Sequence, residues 1–155
     1  MAKARAKAQG SVTSAVRWKS APQEHDYPAA SSYLSLLADE GVIAGILQRL
    51  RAAPVSHFKA KDILRAAGLD LLPASNPHVA ADLAAIGRRE RLSPILLVRG
   101  DLAQGHRLQI ADGYHRVCAS YHTDENTPIP CRMTDVASSP SAARPRRTPT
   151  RTPSA

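Results

Sequence analysis

The chain has 155 residues, of which 43% are hydrophobic and 4% aromatic, and a formal net charge of +8. This length allows one compact domain whose core is built from aliphatic side chains. The scarcity of aromatic residues excludes a nucleic-acid platform on which successive bases stack. No apolar run approaches the roughly 18 residues of a membrane span, so no membrane partner is expected. Cys118 and Cys131 are too few for a disulfide framework and indicate a reducing, cytoplasmic compartment.

The basic residues are concentrated at the two ends of the chain. Residues 1–20 carry five basic side chains and no acid, and residues 137–155 carry four basic side chains and no acid. Residues 21–136 have 12 basic and 13 acidic side chains, so this middle part is close to neutral. Both ends are poor in large apolar residues, which predicts disordered basic tails. The tails are either simply solvated or attracted to DNA phosphates without sequence preference. The amino-terminal tail also has the composition of an organelle transit peptide.

Residues 21–56 are predicted to form a helical amino-terminal segment. Apolar residues recur at helical spacing around Leu34 and again from Ile43 to Leu50. We expect Gly41 to break or bend this run. The helices either pack on the following domain, which is the simpler interpretation, or form a surface for a partner.

Residues 57–136 predict a small α+β domain with a mixed sheet. A helix is expected to begin at Asn76, with the following proline at the first helical position. Residues 95–99 and 107–111 are predicted to be strands of one sheet. The first of these strands should be covered on both faces, because its apolar residues do not alternate with polar ones. A helix beginning near Tyr114 and a final short strand complete the domain.

The segment Asp112-Gly113-Tyr114-His115-Arg116 carries the most chemical information. A strand ends here and a helix begins at once, so the first backbone N–H groups of that helix have no partner within it. These donors lie at the positive end of the helix dipole, and Arg116 and His115 add side-chain donors, Arg116 in bidentate fashion. The arrangement predicts a compact anion site, most naturally for a phosphate. Asp112 either caps the helix or holds a metal ion bound to that phosphate.

The order of these elements resembles the ParB/sulfiredoxin superfamily over residues 57–136. Leu-Ser-Pro-Ile-Leu-Leu-Val corresponds to its first strand, Asp-Gly-Tyr-His-Arg to its turn and helix, and Ile-Pro-Cys-Arg-Met to its last strand. ParB proteins bind a cytidine nucleotide at this domain and clamp DNA, and sulfiredoxins bind ATP through a Gly-Cys-His-Arg turn. Free-serine kinases of the superfamily carry an Asp-Gly-His-His-Arg turn. The resemblance implies that Gly113, His115 and Arg116 handle nucleotide phosphates, with ATP or CTP and Mg²⁺ as the expected ligands.

Two departures from these relatives narrow the prediction. Tyr114 occupies the place of the sulfiredoxin cysteine, so that thiol chemistry is not expected. Cys118 and Cys131 lie on apolar faces by their local spacing and should be buried, unpaired and unreactive. No helix-turn-helix reader is expected after residue 136, so sequence-specific DNA binding of the partition type is not predicted.

Other side chains give weaker signals. Lys59 and Lys61 begin a short helix and are possible additional phosphate contacts, although such a charged cluster is more often a solvated face. Of the six histidines, His115 and His122 share a helix face, but no third ligand completes a zinc site, so no metal site is expected.

The sequence therefore predicts a protein that binds a nucleotide or phosphorylated small molecule at the turn around Gly113. A first alternative is a small nucleotide-dependent kinase or hydrolase on the same site, with Asp112 or Asp62 as its acidic group. A second alternative is an accessory protein that binds DNA non-specifically through the basic tails.

Overall fold

The computed structural model describes residues 15–137, which form five helices and six strands. The helices are α1 (Asp26–Leu34), α2 (Glu40–Ala52), α3 (Ala60–Ala67), α4 (Pro77–Gly87) and α5 (Tyr114–Thr123). The strands are β1 (Arg17–Trp18), β2 (Ser56–Lys59), β3 (Arg91–Leu92), β4 (Ile95–Val98), β5 (Gln109–Asp112) and β6 (Pro128–Thr134). The predicted α+β class is confirmed. Among these helices none has the length and apolarity to span a membrane.

Four strands form a mixed sheet in the order β2-β6-β4-β5. The central strands β4 and β6 run parallel, and each edge strand is antiparallel to its neighbour. The two predicted strands at 95–99 and 107–111 are therefore confirmed as partners in one sheet. β5 begins two residues later than expected, because the backbone N–H of Leu108 donates to the carbonyl of Ala66 at 3.2 Å instead of to a neighbouring strand. Asp101 and His106 exchange two backbone hydrogen bonds of 2.9 Å in the connecting turn.

Helices cover both faces of this sheet, as the uninterrupted apolar run in β4 predicted. Ile95 and Leu97 point into a core shared with α3, α4 and α5. Leu96 and Val98 point into a second core shared with α1 and α2. All four side chains are at most 2% exposed. Burial of each such side chain contributes about 1.5–3 kcal/mol before the entropy cost of ordering the chain, so β4 is central to both cores.

The helices of the segment 21–56 pack on the sheet, which confirms the simpler interpretation. The expectation that Gly41 breaks the helical run is wrong. The break lies earlier, and Asp39 accepts a hydrogen bond from the backbone N–H of Val42 at 3.0 Å. Because Asp39 is the N-cap of α2, Gly41 lies within the first turn of that helix.

The prediction of a disordered tail over residues 1–20 is wrong for its last part. β1 pairs in parallel with β3, and Val16 is only 3% exposed. Trp18 packs against the same core as Val16. Backbone pairing with β3 and the burial of these two apolar side chains thus fix this segment on the domain. The rest of the predicted tails, residues 1–14 and 138–155, lies outside the described residues, and so do their predicted contacts with DNA.

Candidate functional site

One residue, Gly113, separates the end of β5 from the start of α5, and the predicted helix start at Tyr114 is confirmed. The φ of Gly113 is 111°, a conformation that favours glycine. A Cβ atom at this position would come within 2.4 Å of Cγ2 of Ile95. The turn therefore lies directly on a fully buried side chain, and any other residue would have to displace it.

The first turn of α5 has no side-chain cap. In contrast, Asp39 and Asn76 cap α2 and α4 by accepting hydrogen bonds from backbone N–H groups. Gly113 has no side chain for this purpose, and within residues 15–137 no acceptor meets the backbone N–H groups at 114–116. Three donors therefore remain available at the positive end of the helix dipole.

The guanidinium of Arg116 is directed at protein groups. Its Nη1 donates to the backbone carbonyl of Ser93 at 2.6 Å, and its Nη2 donates to the carboxylate of Asp112 at 2.5 Å. Nη2 also lies 3.8 Å from the carboxylate of Asp26, and the side chain is 13% exposed. Both terminal nitrogens of Arg116 thus already donate to protein groups, and its predicted bidentate contact with a phosphate stays a prediction. The expectation that Asp112 caps α5 is wrong, since its carboxylate pairs with Arg116.

Asp26 and Asp112 share the single positive charge of Arg116. Asp26 is 4% exposed and accepts hydrogen bonds from the hydroxyl of Ser93 and the backbone N–H of Gln23. Burial raises the pKa of Asp112; the guanidinium of Arg116 opposes this rise, and the carboxylate of Asp26 adds to it. This buried network ties the turn to α1 and to the segment before β4. Sequence reasoning missed Asp26 and Ser93, because their contacts are formed only in the folded chain.

The first turns of α4 and α5 face each other through two histidines. The ring centroids of His78 and His115 are 4.7 Å apart. Burial lowers the pKa of His115, and the nearby His78 lowers it further, while Asp82 opposes the change. Burial raises the pKa of Asp82, against the influence of Arg116 and the two histidines. His78 was not predicted as a site residue, although its place in the first turn of α4 matches that of His115 in α5.

The side chain of Tyr114 belongs to the scaffold of the turn. Its hydroxyl donates to the backbone carbonyl of Asp70 at 2.5 Å, which links the start of α5 to the loop after α3. Burial is the main cause that raises the pKa of Tyr114. The ring hydroxyl of Tyr114 is therefore engaged within the protein, whereas no acceptor among residues 15–137 meets its backbone N–H.

The structure does not bring the other predicted contacts to this turn. Lys59 ends β2 at one edge of the sheet, whereas Gly113 follows β5 at the opposite edge. Three strand spacings of about 4.8 Å separate these edges by roughly 14 Å. Lys61 and Asp62 lie in the first turn of α3, where Asp62 pairs with Arg65 at 3.2 Å. Asp112 is therefore the one predicted acidic group that lies at the turn.

Both thiols are free and buried, as predicted. Burial raises the pKa of Cys118 and of Cys131. Neither thiol is therefore prepared for nucleophilic chemistry. Across residues 15–137 no group of three or more His, Cys, Asp or Glu side chains is arranged to hold a metal ion.

Comparisons with protein-family models, with curated proteins and with solved structures each returned no match. The resemblance to the ParB/sulfiredoxin superfamily therefore rests on the motifs and the order of elements in residues 57–136, and it stays a prediction.

Proposed function

We propose that the chain binds a nucleotide or another phosphorylated small molecule, with a phosphate at the first turn of α5. The observation that supports this most strongly is the set of three uncapped backbone N–H groups at 114–116. Helix starts of this kind bind anions, because several N–H groups converge on the ligand and the helix dipole favours negative charge.

His115 and His78 are the side-chain donors of the proposed site. Their rings lie in contact at the facing first turns of α5 and α4, so one phosphate can reach both. A bound phosphate would stabilise the protonated imidazole of His115. It would therefore raise the pKa of this side chain, which burial lowers in the free protein. In this account Arg116 positions the turn and adds its charge to the local potential, while the N–H groups and His115 make the direct contacts.

Two carboxylates favour a magnesium complex of the nucleotide over a bare phosphate. Asp112 directly precedes Gly113, and Asp82 of α4 interacts electrostatically with Arg116 and His115, so each carboxylate would repel a bare anion when it is ionised. Mg²⁺ is commonly bound by one or two carboxylates together with phosphate oxygens. We therefore propose that Mg²⁺ arrives with ATP or CTP and is held by one of these two carboxylates, Asp112 or Asp82. These nucleotides are the ones that the ParB/sulfiredoxin resemblance implies.

Isothermal titration with ATP, CTP and inorganic phosphate, each with and without Mg²⁺, tests the proposal. We expect saturable binding of at least one nucleotide, stronger with Mg²⁺. His115→Ala should weaken this binding by about 5- to 10-fold, which corresponds to the loss of about 1–1.4 kcal/mol for one partly exposed hydrogen bond. His57→Ala is the matched control, because His57 is exposed on the opposite edge strand.

Two outcomes contradict the proposed function. The first is that neither nucleotide nor phosphate binds at millimolar concentration. The second is that His115→Ala and His57→Ala weaken binding equally, which would place the phosphate elsewhere.

A small kinase or hydrolase on the same site is the second candidate. One observation favours it: the raised pKa of Asp112 at the proposed phosphate position suits a group that exchanges protons during a reaction. Phosphorus NMR of Mg²⁺–ATP and Mg²⁺–CTP incubated with the protein, in the presence and absence of serine, separates turnover from binding. Nucleotide hydrolysis or phosphoserine formation that is lost in Asp112→Asn would favour this candidate. An unchanged spectrum would favour plain binding.

A further inference from the structure

A cavity that is distinct from the turn at Gly113 lies on the α3 face of the sheet. It has a volume of about 390 Å³ and is bounded by β2, α3 and the turn that follows β4. Its lining includes the apolar side chains of Ile63, Leu97, Leu108 and Met133. The cavity lies beside the carboxyl end of β4, whereas Gly113 contacts Ile95 at the opposite end of that strand. None of the residues proposed to bind phosphate lines it.

The rim of the cavity exposes apolar surface to solvent. Leu102, at the tip of the turn between β4 and β5, is 100% exposed, and Phe58 on the edge strand β2 is 40% exposed. Both side chains border the cavity. Exposed apolar groups around a concave apolar surface are typical of a binding site.

Each of the two charged side chains at the rim already forms an ion pair with a residue outside the cavity lining. Asp62 pairs with Arg65 at 3.2 Å, and Arg99 pairs with Asp135 at 3.0 Å. The imidazole of His106 makes no hydrogen bond or ion pair with any residue of the described range 15–137. The cavity therefore offers one free polar side chain and no unpaired charge, which favours an uncharged ligand.

The volume of the cavity indicates the size of its occupant. A cavity of about 150 Å³ can hold benzene, so by the same ratio one of this size holds roughly 15 non-hydrogen atoms. A leucine inserted from a second copy of the chain would fill only a fraction of it, and interiors of that kind are normally close-packed. A small molecule fits the volume better than a single inserted side chain does.

The carboxyl-terminal segment of this chain is a poor occupant. Residues 138–155 contain no Leu, Ile, Val, Met or aromatic residue that would fill an apolar cavity. Arg49 of α2 also holds the backbone carbonyls of Asp135 and Val136, at 3.0 and 2.8 Å. These contacts hold the last described residues beside α2, which covers the opposite face of the sheet.

We propose that the cavity between β2, α3 and the turn after β4 binds an uncharged, largely apolar small molecule whose single hydrogen-bonding group faces His106. Leu102 covers part of the bound molecule from the rim. This site is independent of the proposed nucleotide site, and either one can exist without the other.

Titration of the full chain with N-phenyl-1-naphthylamine tests the proposal, because this fluorescent probe is uncharged, apolar and carries one N–H group. We expect saturable binding with one probe per chain and enhanced fluorescence. Leu102→Ser should weaken the affinity by about fivefold or more, since it removes apolar contact from the rim. Leu36→Ser is the matched control, because Leu36 is 82% exposed and does not line the cavity.

A second pair of variants tests the volume of the cavity directly. Ala66→Phe places a ring in the cavity from the exposed side of α3 and should abolish binding of the probe. Ala84→Phe makes the same change on an exposed position of α4 outside the cavity and should leave binding unchanged. Circular dichroism establishes whether the variants are folded. If Ala66→Phe does not fold, the comparison of Leu102→Ser with Leu36→Ser still tests the proposal.

Three results overturn the proposal. One is the absence of saturable binding up to the solubility of the probe. Another is equal binding by Leu102→Ser and Leu36→Ser, or by Ala66→Phe and Ala84→Phe. The third is a concentration-dependent dimer in sedimentation that Leu102→Ser abolishes, because a second copy of the chain would then cover the cavity.

Discussion

Replacement of Gly113 by alanine should be among the most damaging single changes in this chain. The backbone at this position has a φ of 111°, which an L-residue adopts only with strain. The added Cβ would lie 2.4 Å from Cγ2 and 2.8 Å from Cβ of Ile95, which is fully buried and cannot move into solvent. The substitution therefore combines a conformational penalty with a steric one.

The magnitude follows from these two terms. The backbone conformation costs about 1–2 kcal/mol, and forcing an extra methyl group into a packed core costs about 1–3 kcal/mol. We expect Gly113→Ala to lower the free energy of unfolding by about 2–5 kcal/mol, measured by urea denaturation. For a domain of this size, that corresponds to a loss of roughly 10–20 °C in Tm.

Gly105→Ala is the matched control for this prediction. Gly105 also has a positive φ, of 71°, but no heavy atom lies within 4 Å of the position that its Cβ would take. Its replacement should therefore cost only the conformational term, about 1–2 kcal/mol. If the two variants lose the same stability, the contact between the turn and Ile95 does not constrain the fold and our reasoning is wrong.

Three further predictions concern the buried charges and the thiols. Arg116→Leu leaves Asp26 and Asp112 without their shared positive charge. We therefore expect the free energy of unfolding, measured in urea at neutral pH, to fall by about 3–5 kcal/mol. A fall of less than about 1 kcal/mol would contradict the stabilising role of this network. The raised pKa of Asp112 means that the folded chain retains a proton that the unfolded chain releases. The free energy of unfolding of the wild type, relative to that of Asp112→Asn, should therefore fall as the pH rises from 3.8 towards the pKa of Asp112 in the folded chain. Urea titrations in which this difference does not change with pH would refute the prediction. Cys118 and Cys131 should react with iodoacetamide much more slowly in the native chain than in urea, because both thiols are buried and their pKa values are raised. Fast labelling of Cys118 in the native chain would contradict this prediction and favour a redox role for that thiol.

The sequence predicted the parts of the site that depend on local structure. The strand β4, the glycine turn and the start of α5 follow one another within about 20 residues, and each carries its own signal in apolar runs, glycine and helical spacing. Gly113 could be singled out for the same reason. The error at Gly41 arose from giving a glycine more weight than the capping residue Asp39, which lies two positions earlier.

The partners of Arg116 could not be predicted in this way. Ser93 and Asp26, which hydrogen-bond to each other, are 67 residues apart, and no spacing rule connects them to Arg116. A pattern of residues shows that Arg116 is near a helix start, but not whether its guanidinium faces a ligand or buried carboxylates. The contact between His78 and His115 likewise depends on how α4 packs against α5. Local sequence thus located the turn, and tertiary packing assigned the roles of its side chains.

The central claim is that a phosphate binds the uncapped N–H groups at the start of α5. Titration of the ¹⁵N-labelled chain with Mg²⁺–ATP and Mg²⁺–CTP, followed by amide NMR, tests it directly. We predict that one nucleotide shifts the amide resonances of Tyr114, His115 and Arg116 more than any others, with a single saturating curve. Saturation with the largest shifts elsewhere, or no shift at these three amides at millimolar nucleotide, would contradict the account.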